Sequence, residues 1–282
     1  MRLPFNLVNS MTLHSDSPRV SLLVPCFNED IGILEKSLYS LRNQCFKDFE
    51  CILIDESTDQ NVANACRSFC DDDLRFTYIH PPKRIGLAGS LNLGIEMARG
   101  VYIARFDSDD ICDPDRIALQ VDFLDKNMEI GIVGSAIEIV DSEGRFLMQR
   151  DYPLKHVDIE KKFIYSNALA HPTVMFRKFL LTISGEAYDS EFRYAEDLEF
   201  WLRLLNHEVK FANLSNPLVK YRQQHTNRGK EHWKYNVKAR IKNFSSPYKF
   251  AKIVAIIGIL FWMILPVKIQ RALFKVIQLR KS

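Results

Sequence analysis

No Asp or Glu follows Glu231 in this chain of 282 residues, although eleven Lys and Arg do. Residues 1–231 therefore hold 27 basic against 35 acidic side chains, and the net charge of +3 hides an acidic body with a basic tail. Such a tail suits an anionic surface, and on charge alone a membrane and a nucleic acid both qualify. The six cysteines form no Cys-x-x-Cys pair. This disfavours a paired-thiol metal or redox motif, and buried reduced thiols are expected. Glycine and proline are modest at 11 each, with no internal repeat or low-complexity tract, which excludes a fibrous or disordered chain. The first ten residues contain no continuous apolar stretch, so a cleaved secretion signal is not expected. No Gly-x-Gly-x-x-Gly follows the first apolar run, which argues against a dinucleotide oxidoreductase.

What is present is a regular alternation of short apolar runs and helical spacings. Val20–Pro25, Phe49–Asp55, Phe76–Ile79 and Val101–Phe106 read as buried strands. Between them Ile31, Leu34, Leu38 and Leu41 recur at helical intervals, and helices are expected over Gln60–Cys70 and Gly89–Ala98. Pro114 suits the start of another, reaching about Lys126. This order predicts an α/β fold with a mostly parallel sheet covered on both faces, its ligands at the carboxyl ends of the strands. Asn28 and Glu29, Asp55, and Asp107 with Asp109 all fall at such ends. Further on, a hairpin is expected from Ile137–Val140 to Arg145–Met148 and a strand over Thr173–Phe176. A helix should begin near Glu196, followed by two short strands at Val209–Ala212 and Leu218–Tyr221.

Asp107-Ser108-Asp109 sets two carboxylates two residues apart at a strand end, where both can reach one hard cation. Oxygen ligands suit Mg²⁺ or Mn²⁺, which commonly bridge to substrate phosphates. The competing reading, a cap for the next helix, is better filled by Asp113. Asp71-Asp72-Asp73 precedes its strand and reads as a solvated loop.

Several blocks together resemble the family 2 glycosyltransferases. They are Ser21 to Glu29 (SLLVPCFNE), Leu38 to Asp59, Gly86 to Gly100, Tyr102 to Asp110 (YIARFDSDD), His171 to Phe176 (HPTVMF) and Ala195 to Leu204. The likeness spans about residues 18–228 and implies a GT-A fold that joins a nucleotide-diphosphate sugar, such as a UDP-sugar, to an acceptor hydroxyl with inversion. It implies that Pro25, Phe27 and Glu29 line the nucleotide pocket, that Asp55 faces the base, and that Arg84 lies near the nucleoside or diphosphate. Asp107 would contact the ribose or a metal, Asp109 would ligate Mn²⁺ or Mg²⁺, and His225 would be a further metal or diphosphate ligand. Asp197 would be the catalytic base, although Glu196 and Asp197 also suit a helix start through the helix dipole. Asp55-Glu56-Ser57 departs from the family's usual Asp-Asp-Gly-Ser, which leaves the local turn open.

Ile253–Val267 is an apolar stretch of fifteen residues flanked by cations, short of the ~20 that a spanning helix needs. A helix lying in the cytoplasmic leaflet is the favoured expectation, ahead of a single span or a packing helix. The whole reads as residues 1–17 of extension, a catalytic domain over 18–228, and a basic, membrane-associating helical segment over 229–282. The expected enzyme is a hexosyl- or N-acetylhexosaminyltransferase, peripheral on the inner face of the cell membrane. Its acceptor would be a glycolipid or polysaccharide precursor, and no nucleic-acid partner is expected. A nucleotidyltransferase and a non-catalytic nucleotide-sugar-binding scaffold are the alternatives; the Glu196-Asp197 block disfavours the first and the intact acids the second.

Overall fold

The computed structural model describes residues 17–185, 187–223 and 229–265. Four strands, β1 (Val20–Cys26), β2 (Phe49–Asp55), β3 (Phe76–Ile79) and β4 (Tyr102–Arg105), are parallel and lie in the spatial order β3-β2-β1-β4. Helices α1 (Ile31–Arg42), α2 (Gln60–Asp71) and α3 (Gly86–Met97) connect them. Every residue of β2 is buried, and its side chains divide by alternation. Phe49, Cys51 and Leu53 join the layer of α1 and α2, whereas Ile52 and Ile54 face α3 on the other side.

Beyond β4 the sheet turns antiparallel. β8 (Met175–Arg177) pairs with β4 and with β6 (Ile130–Val140), and β6 then runs parallel to β9 (Lys210–Arg222). The two-residue β5 (Ile111–Cys112) pairs with the end of β9, and β7 (Phe146–Arg150) forms the expected hairpin with β6. Helices α4 (Arg116–Lys126), α5 (His156–Phe163), α6 (Leu180–Ser184) and α7 (Glu196–Asn206) complete the two covering layers.

Three elements differ from the expectation for identifiable reasons. β6 begins seven residues earlier than the periodicity indicates, because glycines interrupt its apolar run. At Gly134 an added Cβ would meet Asn213 Oδ1 and, at 2.8 Å, Leu169 Cδ2, so the glycine marks close approach inside the sheet. β9 is one strand where two were expected. Its pairing with β6 steps from Leu214 to Pro217, so Ser215 and Asn216 bulge beside a proline that has no N–H to donate. Helix α3 starts at Gly86, three residues early, and its N-terminus is satisfied by a residue from another loop, described below.

Two helices follow β9. α8 (Lys230–Lys242) buries Val237, Ala239 and Arg240 against the body. α9 (Lys249–Ile264) buries none of its side chains. Among the described residues no helix is long and apolar enough to cross a membrane. All six cysteines are free and only Cys45 is exposed, as the composition suggested.

The β1–β2 pair carries a polar knot. Ser21 Oγ donates to Glu50 at 2.6 Å and accepts from Gly100 N at 2.8 Å, while Arg99 Nε reaches Glu50 at 2.8 Å. A Cβ on Gly100 would lie 2.5 Å from Ser21 N and 2.7 Å from the Val20 carbonyl carbon, where only backbone could give way. Gly100→Ala is therefore expected to destabilise the fold by about 1–3 kcal/mol, read from urea denaturation.

Candidate active site

Strand order reverses between β1 and β4, where the chain crosses from one side of β1 to the other. Adjacent loops diverge at such a switch point and leave a crevice at the carboxyl ends of the strands. A cavity of about 310 Å³ opens there, lined among others by Pro25, Phe27, Glu29, Arg84, Asp107 and Asp109. Residues as far apart in the chain as Pro25 and Arg222, 197 positions, are thus brought to one site. Arg84 lies over the Phe27 ring, 3.8 Å from its centroid. Asn28, in a left-handed conformation with φ of 50°, ties the loops after β1 and β2 together. Its Oδ1 accepts from Thr58 N at 2.9 Å and Asp59 N at 3.1 Å.

Asp55 does not line this cavity. Its buried carboxylate accepts from Ser57 N at 2.9 Å and Tyr78 Oη at 3.0 Å, with His80 Nδ1 at 3.4 Å. Its neighbour Glu56 does line it. Glu56 Oε2 accepts from Ile85 N at 2.9 Å and Gly86 N at 3.0 Å, and Oε1 accepts from Ser90 Oγ. These donors open α3, whose own N-cap position, Ile85, supplies no side-chain acceptor. A carboxylate at a helix N-terminus is favoured by both the free N–H groups and the dipole.

The turn after β4 gathers like charges. One carboxylate oxygen from each of Asp107, Asp109 and Asp110 lies within 4.8 Å of the others, a set that could hold a hard cation. Asp107 is gripped at both oxygens by the buried guanidinium of Arg105, Nη1 donating to Oδ2 at 2.5 Å. Asp110 is fully buried; Oδ1 accepts from Arg222 N at 2.8 Å, and Oδ2 has no hydrogen-bond partner among the described residues. Burial, with Asp107 and Asp109 beside it, holds the Asp110 carboxyl well above the usual carboxylate range. For the same reasons, burial and then Asp109 and Asp107, Glu29 is pushed up to about 7. An orphaned buried carboxylate oxygen among acids held partly neutral is what a divalent-cation site presents without its ion. The residues fit the group.

Asp110 and Arg222 were not singled out by the sequence. Arg222 also donates from Nε to Asp109 O at 3.0 Å, closing the acidic turn from β9. Only the pairing of β5 with β9 brings it there, across more than a hundred residues. His225, the remaining expected ligand, lies outside the described residues.

Asp197 sits at the first turn of α7, half-buried and outside the cavity lining. Its Oδ2 accepts from Asn167 Nδ2 at 2.5 Å and its Oδ1 from Leu198 N at 2.7 Å. Ala195, with φ of 58°, turns the chain into the helix. Glu196 points inward, its Oε1 3.9 Å from His171 Nδ1, and His171 Nε2 lies 3.0 Å from Tyr188 Oη. Burial, and secondarily Asp197, push Glu196 up to about 8, with Arg105 opposing and Asp107 reinforcing the shift.

Comparison with known proteins follows this geometry. The sequence model of Glycosyl transferase family 2 matches residues 21–182, more than half the chain. The chain belongs to this family. The family 2 enzyme is 32% identical over 189 residues to the O-antigen biosynthesis glycosyltransferase WbnJ of Escherichia coli, covering 66% of this chain and 72% of that one. It is 28% identical over 263 residues to the amylovoran biosynthesis glycosyltransferase AmsE of Erwinia amylovora, covering 90% and 97%. Its fold matches residues 1–349 of S. aureus TarS in complex with UDP-GlcNAc, with TM-score 0.66, 17% identity and coverage of 89% and 77%. Against a longer TarS structure it covers 46% of that chain. The mannosyltransferase PcManGT of Pyrobaculum calidifontis, in complex with GDP-Man and Mn²⁺, aligns with TM-score 0.60 and 16% identity over 95% and 82%. The fold is thus the GT-A fold, and the chain is a glycosyltransferase.

The buried acids give the glycosyltransferase a pH signature. Glu29 and Glu196 have folded-state pKa values raised above the unfolded value of 4.5, so their contribution falls as pH rises through about 7 and about 8. His171, lowered well below 6.5 by burial and then by Arg105, contributes the opposite slope, which ends near 6.5. Between about 6.5 and 8 the metal-free protein should lose stability with rising pH, and Glu196→Gln should flatten that slope in melting curves. An unchanged slope in the variant would show that Glu196 ionises normally.

Proposed function

We propose that this glycosyltransferase moves a sugar from a UDP-sugar to a hydroxyl of a glycolipid or polysaccharide precursor, inverting the anomeric carbon, at the inner face of the cell membrane. The observation that carries the reading is the cavity at the β1/β4 switch point, with the Asp107, Asp109 and Asp110 carboxylates converging on its edge. The complexes of two fold relatives, one with UDP-GlcNAc and one with GDP-Man and Mn²⁺, support a nucleotide-sugar donor and a divalent cation. The names of WbnJ and AmsE support an acceptor in polysaccharide assembly.

In this reading Pro25, Phe27 and Arg84 hold the nucleoside end of the donor. Asp109 and Asp110, with Asp107, hold Mn²⁺ or Mg²⁺, which when bound offsets the charge of the departing diphosphate. Arg105 keeps Asp107 in place, and Arg222 fixes the backbone of the turn. The attacking hydroxyl must lose its proton, and Asp197 accepts it while Asn167 orients the carboxylate. Glu196, raised to about 8, stays largely neutral at pH 7, so it adds little negative charge beside that base. Direct displacement from the face opposite the leaving group needs only this one base. The exposed apolar helix α9 and the cations around it would bring the enzyme to its acceptor.

Asp109→Asn keeps the side chain's shape and removes the charge a cation needs. Transfer should fall at least ~100-fold while melting without metal is unchanged or higher, and the Mn²⁺-dependent thermal shift with UDP should disappear. Full transfer by the variant in EDTA would end the metal-dependent reading. Asp197→Asn should lower kcat by ~100-fold or more with donor affinity close to that of the unmodified enzyme. Loss of donor binding with turnover retained would move Asp197 to the other half of the site.

A further inference from the structure

A second cavity lies far along the chain from the acidic turn, under the junction of α8 and α9. It holds about 50 Å³ and is bounded by α5, α7, the end of α8 and the first turns of α9. At roughly 10–15 Å³ for one enclosed water, this is room for a few waters or one small oxyanion.

Among the described residues its charged lining is Arg240, Lys252 and Glu160. Arg240 is 7% exposed, and its Nη1 donates to the carbonyls of Phe163 at 2.5 Å and Ile164 at 2.7 Å. Its Nε donates to Asn236, and its Nη2, buried, has no acceptor among the described residues. Burial lowers Arg240 to about 10, and no acidic group counters that shift. Lys252 enters from α9 and donates to Ser245 O at 2.9 Å. Glu160 is the one carboxylate on the wall; it acts on Lys252 and not on Arg240. A buried guanidinium with an unmet donor beside a lysine is the chemistry that binds phosphate oxygens; the Ser245 hydroxyl already donates to Asn206 Oδ1.

What lies around the cavity indicates where the phosphate comes from. α9 leaves Phe250, Ile253, Ile257, Phe261 and Ile264 exposed, and Ile241 and Phe244 at the end of α8 are exposed beside them. At 1.5 Å per residue its sixteen residues span ~24 Å, less than a bilayer core of ~30 Å, which suits a helix lying along the surface. No acidic residue follows Glu231 to repel an anionic surface. We propose that the cavity holds the phosphate of an anionic lipid, with Arg240 and Lys252 as its cationic ligands, while α9 lies among the acyl chains of the same leaflet. The inference rests on the membrane reading above and adds to it a defined headgroup site.

The test is flotation of the full chain with phosphatidylcholine vesicles, with and without phosphatidylglycerol, comparing Arg240→Gln, Lys252→Gln and, as a surface control, Lys234→Gln. Lys252→Gln and Arg240→Gln should each weaken binding to the anionic vesicles ~tenfold or more, as expected for a charge-assisted hydrogen bond. Lys234→Gln, a surface cation, should cost ~fivefold or less. UDP binding should be unchanged in all three. Arg240→Gln removes bonds to two carbonyls, so if it melts early Lys252→Gln decides. If the unmodified chain floats and the cavity variants lose no more than the surface control, the headgroup site is wrong and the membrane reading stands. If the unmodified chain does not float with anionic vesicles, both fall. If inorganic phosphate raises the melting temperature through Arg240 while flotation is unaffected by the cavity variants, the site takes a free anion and the lipid assignment is overturned.

Discussion

Confining several carboxyl groups to the ends of parallel strands is costly, and much of this structure manages that cost. Asp107, Asp109 and Asp110 share one small volume, and their charge reaches Glu29 and, from Asp107, Glu196. Like charges with little water to screen them raise one another's pKa values, so such a group is stable only with protons, cations or fixed donors. The chain supplies the fixed donors: Arg105 grips Asp107, and the Arg222 backbone N–H bonds Asp110. What remains unmet, at Asp110 Oδ2, is the need a divalent cation would fill.

This constraint explains why the antiparallel half of the sheet exists in this form. The parallel half supplies most of the cavity lining, and Tyr221 and Arg222 of β9 complete it. β9 runs beside β6 to its last residue, Arg222, which arrives at the acidic turn, and its register with β6 shifts across the bulge at Ser215 and Asn216. The same economy appears at Glu56. Glu56, which stands where the family usually has the second Asp of Asp-Asp-Gly-Ser, satisfies the N-terminus of α3 and lies 3.9 Å from Arg84 Nε.

Much of the parallel half was legible in advance. β1 and β2 are apolar runs closed by polar residues, and such runs buried on both faces have few alternatives to a central parallel strand. Asp107 and Asp109 were legible because their place after β4 follows from strand order. The antiparallel half was harder, since glycines in β6 mark close approach but look like turns, and Pro217 looks like an end when it is a bulge. The Asp71–Asp73 run was separated from the acidic turn by position alone; Asp71 and Asp72 are exposed and Asp73 pairs with Arg75 at 2.7 Å.

By itself the sequence determined the alternation of strands and helices, the ends at which acids would gather, the family likeness and the charge imbalance of the tail. These are properties of local pattern and composition, which survive without knowledge of any long-range contact. Only the tertiary structure decided that Asp55 is buried with its carboxylate accepting from Ser57 N and Tyr78 Oη, and that Glu56 caps a distant helix. It alone showed that Arg222 completes the acidic turn and that Arg240 is buried with an unmet donor. Those outcomes depend on which side chains meet across more than twenty residues of chain. A hydrogen bond or a lost hydration shell is set by the neighbour that arrives, and neighbours are a property of the folded chain.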